Sequence, residues 1–226
     1  MGRRAMFSEE RILDATLRLV SSGGPSAVTI SALGEALTAS VGSIYHRFRS
    51  RDLVLAALWL RTVERFQRGF LDALGDDDVQ AGAVRAALHT VAWSREHPEE
   101  ARVLLLYRRE DLATRWPAEL GAQLAELNAD VTAALRSYAV RRYRTDGPAV
   151  LRRVTLALVD LPYAATRRHL LAAEPPPPEL EGLVVTTCRC LLDGASPASG
   201  ETDGRDEARR PDPTHVSSSL GAGQIR

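Results

Sequence analysis

Apolar residues in this chain recur at spacings of three and four rather than two, which leaves helices as the regular elements it can build. The first stripe, Ile12, Leu13, Thr16, Leu17, Leu19 and Val20, predicts a helix from Ser8 to about Ser22. Ser8 is a good N-cap, Glu9 and Glu10 suit the positive end of the helix dipole, and Gly23-Gly24-Pro25 ends the run. Thr29 opens a short second helix with Ile30, Leu33 and Leu37 on one face, Thr38-Ala39 makes a tight connection, and Ser40 caps a third helix. Ser50 caps a fourth that runs to about Leu74 along the line Leu55, Trp59, Thr62, Phe66 and Phe70. Asp76–Asp78 cap a fifth, Val79 to about Glu96, which His97-Pro98 closes. Further helices are expected from Pro98 to about Leu112, Pro117 to about Thr145 and Pro148 to about Ala173, the last kinked at Pro162. Pro175–Pro178 is a stiff linker before a final helix, Glu179 to about Asp193. The fold class is therefore all-α.

Composition excludes several functions. With 45% hydrophobic and 26% charged residues and a formal net charge of +0, the 226-residue chain has no global basic surface, so any attraction for an anion must be local. All 29 basic residues are arginine. Cys188 and Cys190 point to different faces of one helix, which suits neither a disulfide nor a metal pair and fits a reducing compartment. Arg3 and Arg4 precede no apolar run, and the longest apolar stretches are broken by arginine or aspartate, so neither a secretory signal nor a membrane span is expected, and the expected location is cytoplasmic. From Ala195 to Arg226 only Val216, Leu220 and Ile225 are large aliphatics, and that segment is expected to be disordered.

One stretch, SVGSIYHRFRSR from Ser40 to Arg51, asks for more than packing. On a helix Val41, Ile44, Tyr45 and Phe48 fall on one side and are expected to pack, while Gly42, Ser43, His46 and Arg47 fall on the other. Two short helices joined by a tight turn form a helix-turn-helix, whose second helix enters a DNA major groove. Gly42 costs about 1 kcal/mol of helix propensity, and close backbone approach to DNA is the compensating gain. Hydroxyls at Thr29, Ser40, Ser43 and Tyr45 and the free amides at the helix starts can donate to phosphate oxygens. Residues 1–51 hold seven arginines against four acids, a local excess of about three positive charges.

The run TISALGEALTASVGSIYHRFRSRDLVLAAL resembles the N-terminal domain of TetR-family transcriptional regulators, over about residues 8–60. The likeness rests on Thr29-Ile30, on Ser40-x-Gly42-Ser43-x-Tyr45-His46-x-Phe48, and on Ser50-Arg51-Asp52-Leu53. It implies an all-helical homodimer that binds double-stranded operator DNA and a small-molecule effector. The head would span 1–52, a ligand-binding and dimerisation domain 53–194, and the tail 195–226. By resemblance, Thr29, Ser40, Ser43, Tyr45 and Arg51 are phosphate or groove contacts, joined by Val41, Gly42, His46 and Arg47. Two positions depart from the pattern. Thr38 stands in the turn where glycine is common, and Val41 stands where a polar base-reading side chain is common; it either touches a thymine methyl or only packs. The resemblance also pairs the last two helices across a two-fold axis, with Leu156, Leu158, Val159, Leu161, Leu183, Val184, Leu191 and Leu192 as the expected interface.

No motif names the ligand. Phe66, Phe70, His89, Trp93, Tyr107 and Tyr163 are the candidate cavity lining, with Leu104, Trp116 and Leu127, and with Arg108 or Arg109 available to an anionic ligand. An enzyme is not indicated: there is no GxSxG or HExxH, His89 and His97 lack a third ligand in register, and Asp76–Asp78 lacks the later ligands of a calcium loop. No cofactor or metal is called for. The reading is a ligand-responsive transcriptional regulator, a repressor released by a small molecule; the alternative is a helical dimeric sensor or scaffold without DNA binding.

Overall fold

A computed structural model of the chain describes residues 8–106 and 117–194, and every regular element among them is helical. The N-terminal three are α1 (Glu9–Gly23), α2 (Ile30–Leu37) and α3 (Val41–Arg47), followed by the long α4 (Arg51–Leu74) and α5 (Val79–Glu96). Then come α6 (Pro98–Val103), α7 (Gly121–Glu126), α8 (Ala129–Tyr143), α9 (Pro148–Thr155), α10 (Leu161–Ala172) and α11 (Glu179–Asp193). Local chemistry sets the early starts. The hydroxyls of Ser8, Thr29, Ser40 and Ser50 each accept the backbone N–H three residues on, and the Asp78 carboxylate accepts those of Gln80 and Ala81. Such a cap contributes about 1 kcal/mol.

Helix α4 belongs to two cores. Its first half, Leu53 to Leu60, packs with Ile12, Leu33, Ile44 and Phe48 and with Val103 of α6. Its last turns, at Phe70 and Leu74, join a second core built from α5, α8, α9 and α11. Arginines fasten the N-terminal seam. Arg61 Nη1 donates to the carboxylates of Glu10 and Asp14 on α1, at 2.8 and 2.9 Å. At the Pro175–Pro178 linker, Arg95 of α5 donates to the carbonyls of Pro176 and Pro177, both at 2.7 Å, and pairs with Glu181.

Several boundaries differ from the sequence expectation. Helix α6 ends at Val103, not near Leu112, because the chain tightens there into i+3 bonds from Leu105 to Arg102 and Leu106 to Val103. The helix expected from Pro117 to Thr145 is broken. A 3₁₀ turn (Ala118–Leu120) leads into α7, and a turn at Leu127-Asn128 separates α7 from α8. Asparagine competes with helical backbone, and the Asn128 side chain is engaged by Gln67 of α4 instead. The segment expected to kink at Pro162 is helical throughout Pro148–Ala172, with a wide π-type turn at Leu156–Asp160. Pro162 offers no N–H to the preceding turn; the Leu161 N–H reaches five residues back to the Leu156 carbonyl, so the defect is absorbed just ahead of the proline.

The expected outward leucines also divide. The row Leu180, Val184, Cys188 and Leu192, four apart, is buried on α11, which packs on α5. Leu158, Val184 and Leu192 therefore belong to the intrachain core, while Leu156 and Leu183 are 46% and 64% exposed. Cys188 is buried, which pushes its thiol up to about 11, and Cys190 is exposed. The tail, 195–226, lies outside the described residues.

Candidate nucleic-acid interface and ligand cavity

Helix α3 has two turns and hides one residue. Ile44 is fully buried and Phe48, just past the helix end, nearly so, whereas Val41, Gly42, Ser43, Tyr45, His46 and Arg47 are all exposed. This corrects the expected packing face. Val41 and Tyr45 are 43% and 49% exposed, because so short a helix docks through Ile44 and Phe48 and leaves the flanking pair outside. Gly42 has nothing within 4 Å of where a Cβ would stand, so nothing in the chain requires a glycine there. The Ser40 and Ser43 hydroxyls bond each other at 2.8 Å beside the open amides of α3, and Thr29 and Ser40 are exposed at the starts of α2 and α3.

Arg51 is placed differently. Its Nε donates to the Val28 carbonyl at 2.8 Å and its Nη2 to the Pro25 carbonyl at 2.6 Å, so it holds α4 to the connector between α1 and α2. The turn between α2 and α3 carries its own constraint. Thr38 adopts a left-handed conformation, φ 52°, that costs a β-branched residue about 1 kcal/mol or more. The chain then folds back so closely that a Cβ on buried Gly34 would lie 3.0 Å from the Ala39 carbonyl. Sequence reasoning missed Gly34, whose requirement is set by this return.

Below the head lies a cavity of about 260 Å³ between α4, α5, α6, α10 and the α7–α8 break. Of the sequence candidates, Phe66, Phe70, Trp93, Tyr163 and Leu104 line it. His89 stands behind the wall. Its ring lies 5.0 Å from that of Phe66 and its Nε2 donates to the Phe66 carbonyl at 2.9 Å, while burial lowers its pKa and keeps it neutral. Leu127 packs against the first core. Tyr107, Arg108, Arg109 and Trp116 lie outside the described residues. The polar lining that sequence reasoning missed is Gln67, Thr90, Ser94, Asn128 and Thr166; nothing in their spacing marks them.

Comparison with known proteins bears on the head first. The family profile "Bacterial regulatory proteins, tetR family" matches residues 12–58. Over 56 residues the chain is 43% identical to the HTH-type transcriptional repressor KstR of Rhodococcus jostii (strain RHA1), a match covering 25% of this chain and 26% of KstR. Residues 12–58 are therefore similar to the N-terminal domain of tetR-family regulators. Beyond the head, the likeness to tetR-family and other regulators is one of fold. A transcriptional regulator from Rhodococcus sp. Rha1 superposes with a TM-score of 0.64 at 17% identity, covering 83% of this chain and 97% of that one. The regulator FadR from Bacillus subtilis, solved in complex with stearoyl-CoA, gives 0.64 at 14% identity, covering 84% and 100%. The tetR-family profile ends within α4, so the cavity must be interpreted from this chain's own residues. Among the described residues no cluster of histidine, cysteine, aspartate or glutamate is arranged to hold a metal, and no helix is long and apolar enough to cross a membrane.

Proposed function

We propose that the chain is a ligand-responsive DNA-binding transcriptional regulator, a repressor that a small molecule releases from its operator. The observation that carries this is the outward face of α3: two exposed apolar groups, an unhindered glycine, paired hydroxyls and Arg47, with only Ile44 held inside. Exposing Val41 and Tyr45 gains nothing for folding, whereas a major groove offers Val41 a thymine methyl and Tyr45 a phosphate oxygen. Thr29, Ser40, Ser43, His46 and Arg47 complete the contact surface, and Arg51 contributes by positioning α4.

The working unit is a homodimer through α9–α10 and α11. Exposed Leu156 and Leu171 on the first pair, and Leu183 with Gly182, Thr187 and Cys190 on α11, support it, since small residues let helices approach closely. Two heads then meet half-sites with centres about 34 Å or a multiple apart. Helix α4 gives the cavity and the head a common element, through Trp59, Val63, Phe66 and Phe70 on one side and the Arg51 and Arg61 ties on the other. A ligand that binds one dimer shape better than the other shifts that spacing.

The test is fluorescence anisotropy of labelled duplex from the region upstream of the chain's own coding sequence. Sequence-dependent binding that weakens at least tenfold between about 50 and 200 mM salt is expected. A folded dimer that binds no such DNA at low salt removes the reading and leaves the sensor without DNA binding.

A further inference from the structure

The cavity's lining is specific enough to name a ligand class, an inference that rests on the effector reading above. Its walls are aromatic: Trp59, Phe66, Phe70, Trp93 and Tyr163, with the rings of Phe66 and Trp93 meeting edge to face at 5.3 Å. Among the described residues that line it there is no aspartate, glutamate, arginine or histidine. An ion entering would shed its hydration and meet no opposite charge from these described residues, which disfavours charged molecules. Two of the hydroxyls add little. Ser94 donates to the Thr90 carbonyl at 2.7 Å and Thr166 to the Pro162 carbonyl at 3.0 Å, so both protons are already engaged within their own helices.

Beside the hydroxyls of Thr90 and Tyr163, the lining offers one amide pair. Gln67 Nε2 donates to Asn128 Oδ1 at 3.1 Å, joining α4 to the break between α7 and α8. That bond leaves the Gln67 carbonyl oxygen free to accept and the Asn128 amide free to donate, one of each at the same wall. We infer that the cavity selects a small, uncharged, ring-bearing molecule with a hydrogen-bonding group that is read by Gln67 and Asn128. The rings of the ligand complete the edge-to-face packing that the wall begins, and its polar group takes the vacant half of the amide pair. Because that pair spans α4 and the α7–α8 break, the group that confers specificity also touches the helix shared with the head.

A matched pair of probes tests this on the full chain without DNA. N-phenyl-1-naphthylamine is neutral, with fused and single rings joined through one N–H; 1-anilinonaphthalene-8-sulfonate carries the same rings and an anionic sulfonate. The neutral probe should bind saturably, one per chain, at least tenfold more tightly than the sulfonate. Gln67→Leu and Asn128→Leu, each with an unchanged melting temperature, should weaken the neutral probe about fivefold and leave the sulfonate unaffected. Val131→Phe, which fills the cavity from a half-buried position, should weaken it at least tenfold. Equal affinity for the two probes, binding that does not saturate at one per chain, or indifference to both leucine variants overturns the inference. The outcome is separable from the DNA reading: a chain that discriminates the probes but binds no duplex sinks that reading alone, and the reverse sinks only this one.

Discussion

The outer face of α3 and the inner wall of the cavity break the packing rules in opposite directions. On α3, Val41 and Tyr45 face solvent and Gly42 sits where any residue would fit, although a buried alternative lay one step around the helix. In the cavity, aromatic rings that belong inside border space on one side and one another on the next. Each departure forgoes stability that ordinary packing would supply, and each does so where a partner from outside would restore it: a groove for α3, a ring-bearing molecule for the cavity. Helix α4 runs between them and packs conventionally at its two ends, through Leu53–Leu60 and through Phe70 and Leu74. On the proposed reading, the contrast teaches that function lies in what the cores leave unfilled, outward in one region and inward in the other.

The sharpest way to break the comparison is within α3 itself. Ile44 is fully buried and its neighbour Tyr45 is half exposed. Ile44→Ala should cost about 3 kcal/mol of stability, read from a urea midpoint, and abolish DNA binding through loss of the head. Tyr45→Phe should leave the midpoint in place and weaken DNA of any sequence by about 1.5 kcal/mol per head, about tenfold per head and a hundredfold or more per dimer, as expected for a lost hydrogen bond to a phosphate. If Tyr45→Phe shifts the midpoint instead, the two faces of α3 have been assigned the wrong way round.

Two exchanges of glycine refine the point at smaller cost. Gly42→Ala should raise stability by about 1 kcal/mol, since a Cβ there meets nothing, yet reduce DNA affinity at least fivefold by holding the backbone off the duplex. Thr38→Gly should raise stability by a similar amount, about 1 kcal/mol, by relieving the left-handed turn, with DNA affinity intact. Gains in both stability and affinity for Gly42→Ala would show that the open face of α3 approaches nothing.

How much of this the sequence discloses follows the same division. The caps at Ser8, Thr29, Ser40, Ser50 and Asp78 are rules acting over two or three residues, and each is found in place. The motif around α3 is equally local, so its polar half is readable before any coordinates. Its apolar half is not: the helical wheel groups Val41 and Tyr45 with Ile44, and only the direction from which α1 and α2 arrive separates them. The cavity lies further out of reach. Gln67 and Asn128 are 61 residues apart, Trp93 and Tyr163 come from different helices, and no periodicity announces where packing stops short. The same blindness placed Leu158, Val184 and Leu192 on an outer surface, because α9–α11 carry apolar residues on more than one face.

The smallest effect probes the layer between the cavity and the core, at His89. Its Nε2 must carry the hydrogen, because its partner is the Phe66 carbonyl, and burial disfavours a second proton. The bond to the Phe66 carbonyl, Glu96 and Asp72 pull the other way, His97 adds to the lowering, and burial outweighs them. In the unfolded chain His89 returns to its ordinary value near 6.5, so the unfolded state takes up a proton first as the solution is acidified. Stability contributed by neutral His89 is therefore complete above about pH 6.5 and declines as pH falls through that value toward its lowered folded one. Other histidines titrate in the same range, so the readout is the difference between the wild-type and His89→Gln urea midpoints, measured from about pH 7.5 to 5.5. Glutamine keeps a donor for the Phe66 carbonyl and cannot be charged. The wild type should lose stability relative to the variant only on the acid side, and its affinity for a neutral ring-bearing probe should fall in parallel as the Phe66 wall loosens. A difference that is flat across that range would mean that His89 is solvated in the folded chain, and that the wall behind Phe66 is as open as the face of α3.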